Sequence, residues 1–179
     1  MNLLYCTQKL LKDIGQIPQE LEEPPFNSQL GNWYANLLRI SRKKIILFTN
    51  EKTLFSFLGE GTKSSSLMVK TLLLAGMRSY LLAEGIKDSL VESLLLEYQE
   101  LGFAKTNNRR ILGSMNDIAS LFDYSIASRG GFDYCNLVEI TKNINQAPMK
   151  FLKYRCASDC IHEIFDASMG LPKYGRICE

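Results

Sequence analysis

The sequence predicts an α+β fold, in which helices pack on one face of a mainly antiparallel sheet. Apolar segments joined by short polar turns come early in the chain, and segments with helical periodicity follow them. This order of strands and then helices is typical of α+β folds, whereas regular alternation favours a parallel sheet. The 179 residues, 46% of them hydrophobic, are enough for one domain with a well-buried core.

Strands are predicted where apolar residues alternate or run continuously between polar turns. Three of them are close enough in the chain to form an antiparallel meander with short turns, one of which is Asn50 to Lys52. The predicted strands are Met1 to Tyr5, Trp33 to Ile40, Lys44 to Thr49, Thr53 to Leu58, Phe103 to Lys105 and Phe151 to Tyr154.

Helices are predicted where apolar residues recur every three or four positions between capping residues and glycine or proline stops. They run from Thr7 to Gly15, Ser66 to Ala83, Asp88 to Gly102, Arg109 to Ser128, Cys135 to Asn145 and Ile161 to Phe165. Pro18, Pro24 and Pro25 predict a loop over residues 17–30, and weak order is expected beyond residue 170.

Charge and composition exclude several classes of protein. Lysine and arginine outnumber the acidic residues only by 21 to 19, which does not indicate a nucleic-acid or membrane partner. No segment approaches 18 uninterrupted apolar residues, so no membrane span is predicted. The N-terminus has polar residues too early for a signal peptide, so the expected compartment is the cytoplasm. The five scattered cysteines are therefore expected to be free thiols.

Three segments resemble the hallmark segments of a bacterial and archaeal family that is known as a domain of unknown function. They are NWYANLLRI (Asn32 to Ile40), LFTNEKTLFSFL (Leu47 to Leu58) and FAKTNNRRILGSMND (Phe103 to Asp117). The resemblance covers residues 1–154 and implies a single small cytoplasmic domain there. Residues 155–179 lie outside it, and their pattern predicts a C-terminal tail with a short helix. The resemblance implies no established activity and supplies no catalytic residues.

The polar corner after the strand ending at Lys105 is the main candidate ligand site. A helix N-terminus attracts anions, and the side chains here can form hydrogen bonds and ion pairs. The predicted ligand-binding residues are Asn50, Lys105, Thr106, Asn107, Asn108 and Arg109. The alternative is a plain helix cap, because asparagine is among the best N-cap residues. No glycine-rich loop surrounds the corner, so it is not a P-loop.

A second polar corner, Asn50 and Glu51, follows the most apolar strand. If the two strand ends fall on the same side of the sheet, Asn50 and Glu51 should lie close to Lys105, Asn107 and Arg109 in one cleft. The alternative is an ordinary turn, with Glu51 forming a structural ion pair with Arg109.

Glu51 and Asp117 are the weak candidates for a catalytic base. With Lys105 and Arg109 holding a phosphate, either carboxylate would serve an enzyme acting on a nucleotide or phosphorylated substrate. No second carboxylate is fixed by spacing, and Asp117 could equally belong to an exposed polar helix face.

Two other patterns concern metal and nucleic acid. Cys156, Cys160, His162 and Cys178 match no common zinc spacing, so no metal and no cofactor is predicted. The basic hairpin of Arg39, Arg42, Lys43 and Lys44, with Trp33 and Tyr34 on the same strand, could bind nucleic acid. The near-neutral net charge favours an ordinary charged turn instead.

The sequence therefore predicts first a binding or regulatory module for a polar or anionic ligand or a protein partner. The alternatives are an enzyme acting on a nucleotide or phosphorylated substrate and a nucleic-acid binder that uses the basic hairpin. A membrane partner is not predicted.

Overall fold

The computed structural model describes residues 1–18, 28–61 and 65–169. The strands in this part are β1 (Asn2–Cys6), β2 (Trp33–Ile40), β3 (Lys43–Asn50), β4 (Ser56–Glu60) and β5 (Leu101–Lys105). The α-helices are α1 (Gln8–Asp13), α2 (Ser66–Ala83), α3 (Asp88–Glu97), α4 (Arg109–Ala127), α5 (Leu137–Asn145) and α6 (Ala157–Ser168).

The five strands form one mixed sheet in the order β4-β3-β2-β1-β5. The predicted meander is confirmed, because β2 pairs antiparallel with β3 and β3 pairs antiparallel with β4. The β2–β3 turn consists of Ser41 and Arg42, both with positive φ (47° and 68°), as a tight hairpin turn requires. β1 lies between β2 and β5 and runs parallel to both. The α+β class and the mainly antiparallel sheet are therefore confirmed.

Helices cover both faces of the sheet, which corrects the predicted single covered face. Leu4 and Cys6 of β1 pack in a core with α2, α3 and α6, whereas Leu3 and Tyr5 of the same strand pack in a core with α4 and α5. All five residues of β1 are buried, as expected for a strand between two parallel neighbours. A one-sided arrangement would leave one face of this apolar strand in water.

Several predicted boundaries change in the structure. α3 ends at Glu97 rather than at Gly102, because Gly102 belongs to β5 and pairs with Leu3. The predicted strand Phe151 to Tyr154 is wrong: Lys150–Leu152 is a 3₁₀ turn, followed by Lys153 and Tyr154 in the left-handed region.

The C-terminal helix belongs to the domain core. Ala157, Ile161 and Phe165 of α6 are buried in the core that contains α2 and α3. The short helix predicted at Ile161 to Phe165 is thus longer in the structure and packs in this core. Most of the loop predicted over residues 17–30, and the tail from residue 170, lie outside the described residues.

Among the described helices, only α2 is long and apolar enough to cross a membrane, by length and composition alone. Its 18 residues have a mean hydropathy of 1.2. Its apolar stripe of Val69, Leu73, Met77 and Leu81 is buried against the sheet. These four residues give the helix a packing role within the domain.

Glu84, the residue after α2, has a side chain that is only 7% exposed. Burial raises the pKa of Glu84 above the ordinary 4.5, although nearby Ser158, His162 and Lys142 act in the opposite direction. The folded protein therefore holds this proton at pH values where the unfolded chain has lost it. Stability should consequently fall as the pH rises from about 4.5 through the folded-state pKa.

Glu84→Gln is expected to remove this pH-dependent loss, because the amide carries no charge to bury. Between pH 4.5 and pH 7, the free energy of unfolding measured in urea should fall less for the variant than for the wild type. Glu100→Gln, at an exposed position, is the control and should follow the wild type. A Glu84→Gln curve parallel to the wild-type curve would contradict this account.

Candidate functional site

The carboxyl ends of β1 and β5 form the candidate site. The two strands are parallel neighbours, paired from Asn2 and Leu101 to Cys6 and Lys105. The chain leaves β1 into α1, which packs on one face of the sheet, and leaves β5 into α4, which packs on the other. In open sheets, a crevice where neighbouring parallel strands feed helices on opposite faces is a common place for ligands.

We call this the β1–β5 crevice and define it by the residues that follow the two strands. They are Thr7 and Gln8 after β1, and Lys105, Thr106, Asn107 and Asn108 at the end of β5. The backbone N–H of Thr106 donates to the carbonyl of Cys6 at 3.1 Å, which holds the two strand ends together. The Thr7 hydroxyl donates to Asn36 Oδ1 on β2 at 3.1 Å.

The corner after β5 combines a helix cap with exposed polar side chains. Asn108 is the N-cap of α4, and its Oδ1 accepts from the backbone N–H groups of Arg110 and Ile111 at 3.0 and 3.4 Å. The sequence analysis gave a plain helix cap as the alternative to a ligand site at this corner, and Asn108 is that cap. Lys105, Asn107 and Arg109 are exposed, so their side chains are accessible to a ligand.

Asn107 is positioned by two buried tyrosines. The Tyr34 hydroxyl donates to Asn107 Oδ1 at 2.9 Å. The rings of Tyr34 and Tyr5 are stacked with their centroids 4.9 Å apart. A side-chain amide has two N–H donors and an oxygen that accepts two hydrogen bonds, so a positioned Asn107 keeps capacity for a ligand.

The tyrosine hydroxyls stay protonated at neutral pH. Burial raises the pKa of Tyr34, and the carboxylate of Glu51 raises it further. Burial and Glu51 also raise the pKa of Tyr5, while a hydrogen bond with Asn107 lowers it. The pair can therefore donate hydrogen bonds and hold Asn107, but neither phenol is a base at neutral pH.

The shared cleft of the two polar corners stays a prediction, because the carboxylate of Glu51 acts on Tyr5 and Tyr34, and the Tyr34 hydroxyl holds Asn107. β3 runs opposite to β2, whereas β2, β1 and β5 share one direction, so the chain leaves β3 and β5 in opposite directions. Among the described residues, no hydrogen bond or ion pair joins Asn50 or Glu51 to Lys105, Asn107 or Arg109. Glu51 instead accepts from Asn32 Nδ2 at 3.0 Å.

Asn50 is fully buried and holds its own turn together. Its Oδ1 accepts from Lys52 N, Thr53 N and Thr53 Oγ1, and its Nδ2 donates to the carbonyl oxygens of Leu30 and Asn32. Every polar atom of the side chain is thus used inside the protein. Asn50, a predicted ligand-binding residue, therefore has no polar atom left for a ligand.

A cavity of about 330 Å³ lies beside the crevice. Lys105 is on its β5 side, and the rest of the lining comes from α1 and the residues after it: Gln8, Leu11, Lys12, Gly15, Gln16, Ile17 and Pro18. The volume is in the range of small-molecule sites. The end of β5 thus borders a concave surface that could hold a ligand.

Neither weak catalytic candidate forms a hydrogen bond or ion pair with a described residue of the crevice. Asp117 is exposed on α4, and Glu51 follows β3 beside Asn32. In the described part of the chain, no carboxylate forms an ion pair with Lys105 or Arg109. The geometry thus assembles cations and amides at the crevice, without a carboxylate base in contact with them.

The other predicted patterns occupy separate places. No three His, Cys, Asp or Glu side chains in the described part of the chain are grouped as a metal site, and Cys178 lies outside it. The absence of zinc stays a prediction, which metal analysis of the purified protein would check. In the basic hairpin, Lys43 pairs with Glu60 and Asp133, and Lys44 pairs with Asp13.

Sequence reasoning missed Tyr5 and Tyr34 as supporting residues of the site. Both are buried and lie on strands, where an aromatic residue normally indicates core packing. The sequence does carry one chemical signal for them, because a tyrosine on a buried strand needs a hydrogen-bond partner for its hydroxyl. That partner, Asn107, is distant in sequence and could not be assigned without the strand order.

Tyr34→Phe is expected to lower the free energy of unfolding by about 1 kcal/mol, because one hydrogen bond is lost while the ring remains. The side-chain amide of Asn107 should also lose its fixed orientation, which NMR relaxation of its N–H₂ group can detect. Tyr124→Phe, at a position that is 74% exposed, is the matched control. An unchanged Asn107 amide in Tyr34→Phe would show that the phenol does not position it.

The fold and the crevice together define a single α+β domain with a polar surface at the ends of two parallel strands. A family model described as "Domain of unknown function (DUF6933)" matches residues 3–160, and the chain belongs to that family. No curated protein matches the chain significantly.

Proposed function

We propose that this domain is a binding module for a small polar, anionic ligand and that the ligand binds in the β1–β5 crevice. The observation that supports this most strongly is the divergence of α1 and α4 to opposite faces of the sheet from two adjacent parallel strands. This divergence opens a crevice beside Lys105, where a cavity of about 330 Å³ is present.

The chemistry of the crevice favours an anion. Lys105 and Arg109 are exposed cations, and Asn107 is an amide held by Tyr34. The N-terminal end of the 19-residue helix α4 adds a positive dipole end at the same place. The described residues offer no carboxylate in contact with these groups, so binding is favoured over hydrolysis. We also propose a cytoplasmic location, since the described cysteines are free thiols.

A thermal-shift screen tests the proposal, because a ligand that binds only the folded state raises the melting temperature. The panel should contain nucleotides, sugar phosphates and small dicarboxylates. We expect at least one member to stabilise the wild type. Asn107→Ala and Arg109→Ala should weaken its binding about tenfold or more.

Arg109→Ala should change the free energy of unfolding by less than about 0.5 kcal/mol, because the side chain is exposed. Arg129→Ala, just beyond the other end of α4, is the charge-matched control and should bind like the wild type. If the Arg109 and Arg129 variants bind equally well, or if Arg109→Ala unfolds the protein, the crevice is not the site.

A further inference from the structure

A second cavity, of about 340 Å³, lies between α1 and the β2–β3 hairpin. We call it the α1–hairpin cavity, and its lining residues are Lys9, Lys12, Asp13, Leu37, Arg39 and Lys44. The hairpin extends beyond the end of β1, since Cys6 is level with Ala35 while β2 continues to Ile40. α1 crosses this projecting part, which creates the concave surface.

The cavity carries an excess of positive charge that the protein does not neutralise within its described part. Lys44 Nζ is 2.6 Å from Asp13 Oδ1, so these two side chains form an internal ion pair. Lys9, Lys12 and Arg39 form no ion pair with any described carboxylate. Four cations against one carboxylate leave three uncompensated positive charges around one concavity.

We propose that the α1–hairpin cavity is a binding site for a small polyanion that carries at least two phosphate groups. Cations that line a concave surface focus a positive potential, which raises the local concentration of anions. A bound polyphosphate would relieve the repulsion among Lys9, Lys12 and Arg39. The planar guanidinium of Arg39 can bind two phosphate oxygens at once, and the lysines supply mobile point charges.

The observations favour a small phosphate compound over nucleic acid. Proteins that bind single strands commonly stack bases on exposed aromatic rings. The aromatic residues that the sequence associates with this hairpin, Trp33 and Tyr34, are both 0% exposed. The cavity lining contains no aromatic residue, and its volume is that of a small-molecule site.

The site is separable from the β1–β5 crevice. Lys12 lines the cavities on both sides of α1, whereas Arg39 and Lys9 line only the α1–hairpin cavity and Lys105 lines only the other. Substitutions at Arg39 and Lys105 therefore test the two sites independently.

Calorimetric titration of the full chain with inorganic tripolyphosphate tests the proposal, with orthophosphate for comparison. We expect the wild type to bind tripolyphosphate at least tenfold more tightly than orthophosphate. Arg39→Gln and Lys9→Gln should each weaken tripolyphosphate binding about tenfold while their melting temperatures stay near the wild-type value. Lys150→Gln, at an exposed position that lines neither cavity, should bind like the wild type. Lys105→Gln separates the two sites, because Lys105 lines only the cavity beside the crevice.

Four outcomes would overturn the proposal: no binding of tripolyphosphate at millimolar concentration, wild-type affinity in both Arg39→Gln and Lys9→Gln, equal losses in all four variants, or loss only in Lys105→Gln. The last outcome would assign the phosphate to the crevice and leave the proposed function intact. A single-stranded RNA that binds more tightly than tripolyphosphate, and loses affinity in Arg39→Gln, would replace the small ligand with nucleic acid.

Discussion

Gly76→Ala is expected to lower the free energy of unfolding by about 2 kcal/mol, although alanine is the better helix former by about 1 kcal/mol. A Cβ added at Gly76 in α2 would lie 2.6 Å from Cδ2 of Phe57 and closer still to its Cε2. The Phe57 ring has no room to move, because it packs on Phe48, Trp33 and Tyr80 with centroid distances of 5.3, 5.5 and 5.3 Å. The helix must therefore shift away from the sheet.

Gly113→Ala in α4 is the matched control, because nothing lies within 4 Å of its added Cβ. It should raise the free energy of unfolding by about 0.5–1 kcal/mol through helix propensity alone. Urea unfolding of both variants measures the change in the free energy of unfolding, which should be negative for Gly76→Ala and positive for Gly113→Ala. The cost of Gly76→Ala should also shrink in a Phe57→Leu background. A Gly76→Ala variant more stable than the wild type would show that the clash is absent.

Asn50→Ala is expected to lower the free energy of unfolding by about 3–4 kcal/mol, because several buried polar groups lose their partner together. The side chain makes five hydrogen bonds within and beside the β3–β4 turn. The donors left unpaired include the N–H of Thr53, and the carbonyl of Leu30 loses its donor.

Chemical denaturation checks this expectation. Asn116→Ala, at an exposed position on α4, should change stability by no more than about 0.5 kcal/mol. Asn50→Asp keeps the three accepted hydrogen bonds but loses both donated ones and introduces a charge, so it should also be destabilised. If Asn50→Ala were as stable as the wild type, the turn would not depend on this amide.

The sequence predicted the strand and helix bounds that are set by residues close together in the chain. The bounds of β2 match the prediction at both ends, because alternation and a tight turn fix a hairpin strand locally. α2 and the start of α4 also match, because capping residues precede apolar residues at helical spacing. The strand end at Lys105 followed by a helix N-terminus was predicted for the same reason.

The features that depend on strand order could not be read from the sequence. β1 is next to both β2 and β5 only because of pairings between residues far apart in the chain. Without that order, the sequence could not place Thr7 and Gln8 beside the Lys105 corner, where β1 ends. The coverage of both sheet faces follows from the same central position of β1.

Backbone amide chemical-shift mapping is the most direct test of the proposal that the β1–β5 crevice binds a polar anion. The probe is whichever compound of the nucleotide, sugar-phosphate and dicarboxylate panel stabilises the protein most. The largest shifts are expected on Thr7, Gln8 and residues 105–109, and Arg109→Ala should remove them. Largest shifts that lie elsewhere in the chain, or a panel in which no compound binds, would contradict the proposal.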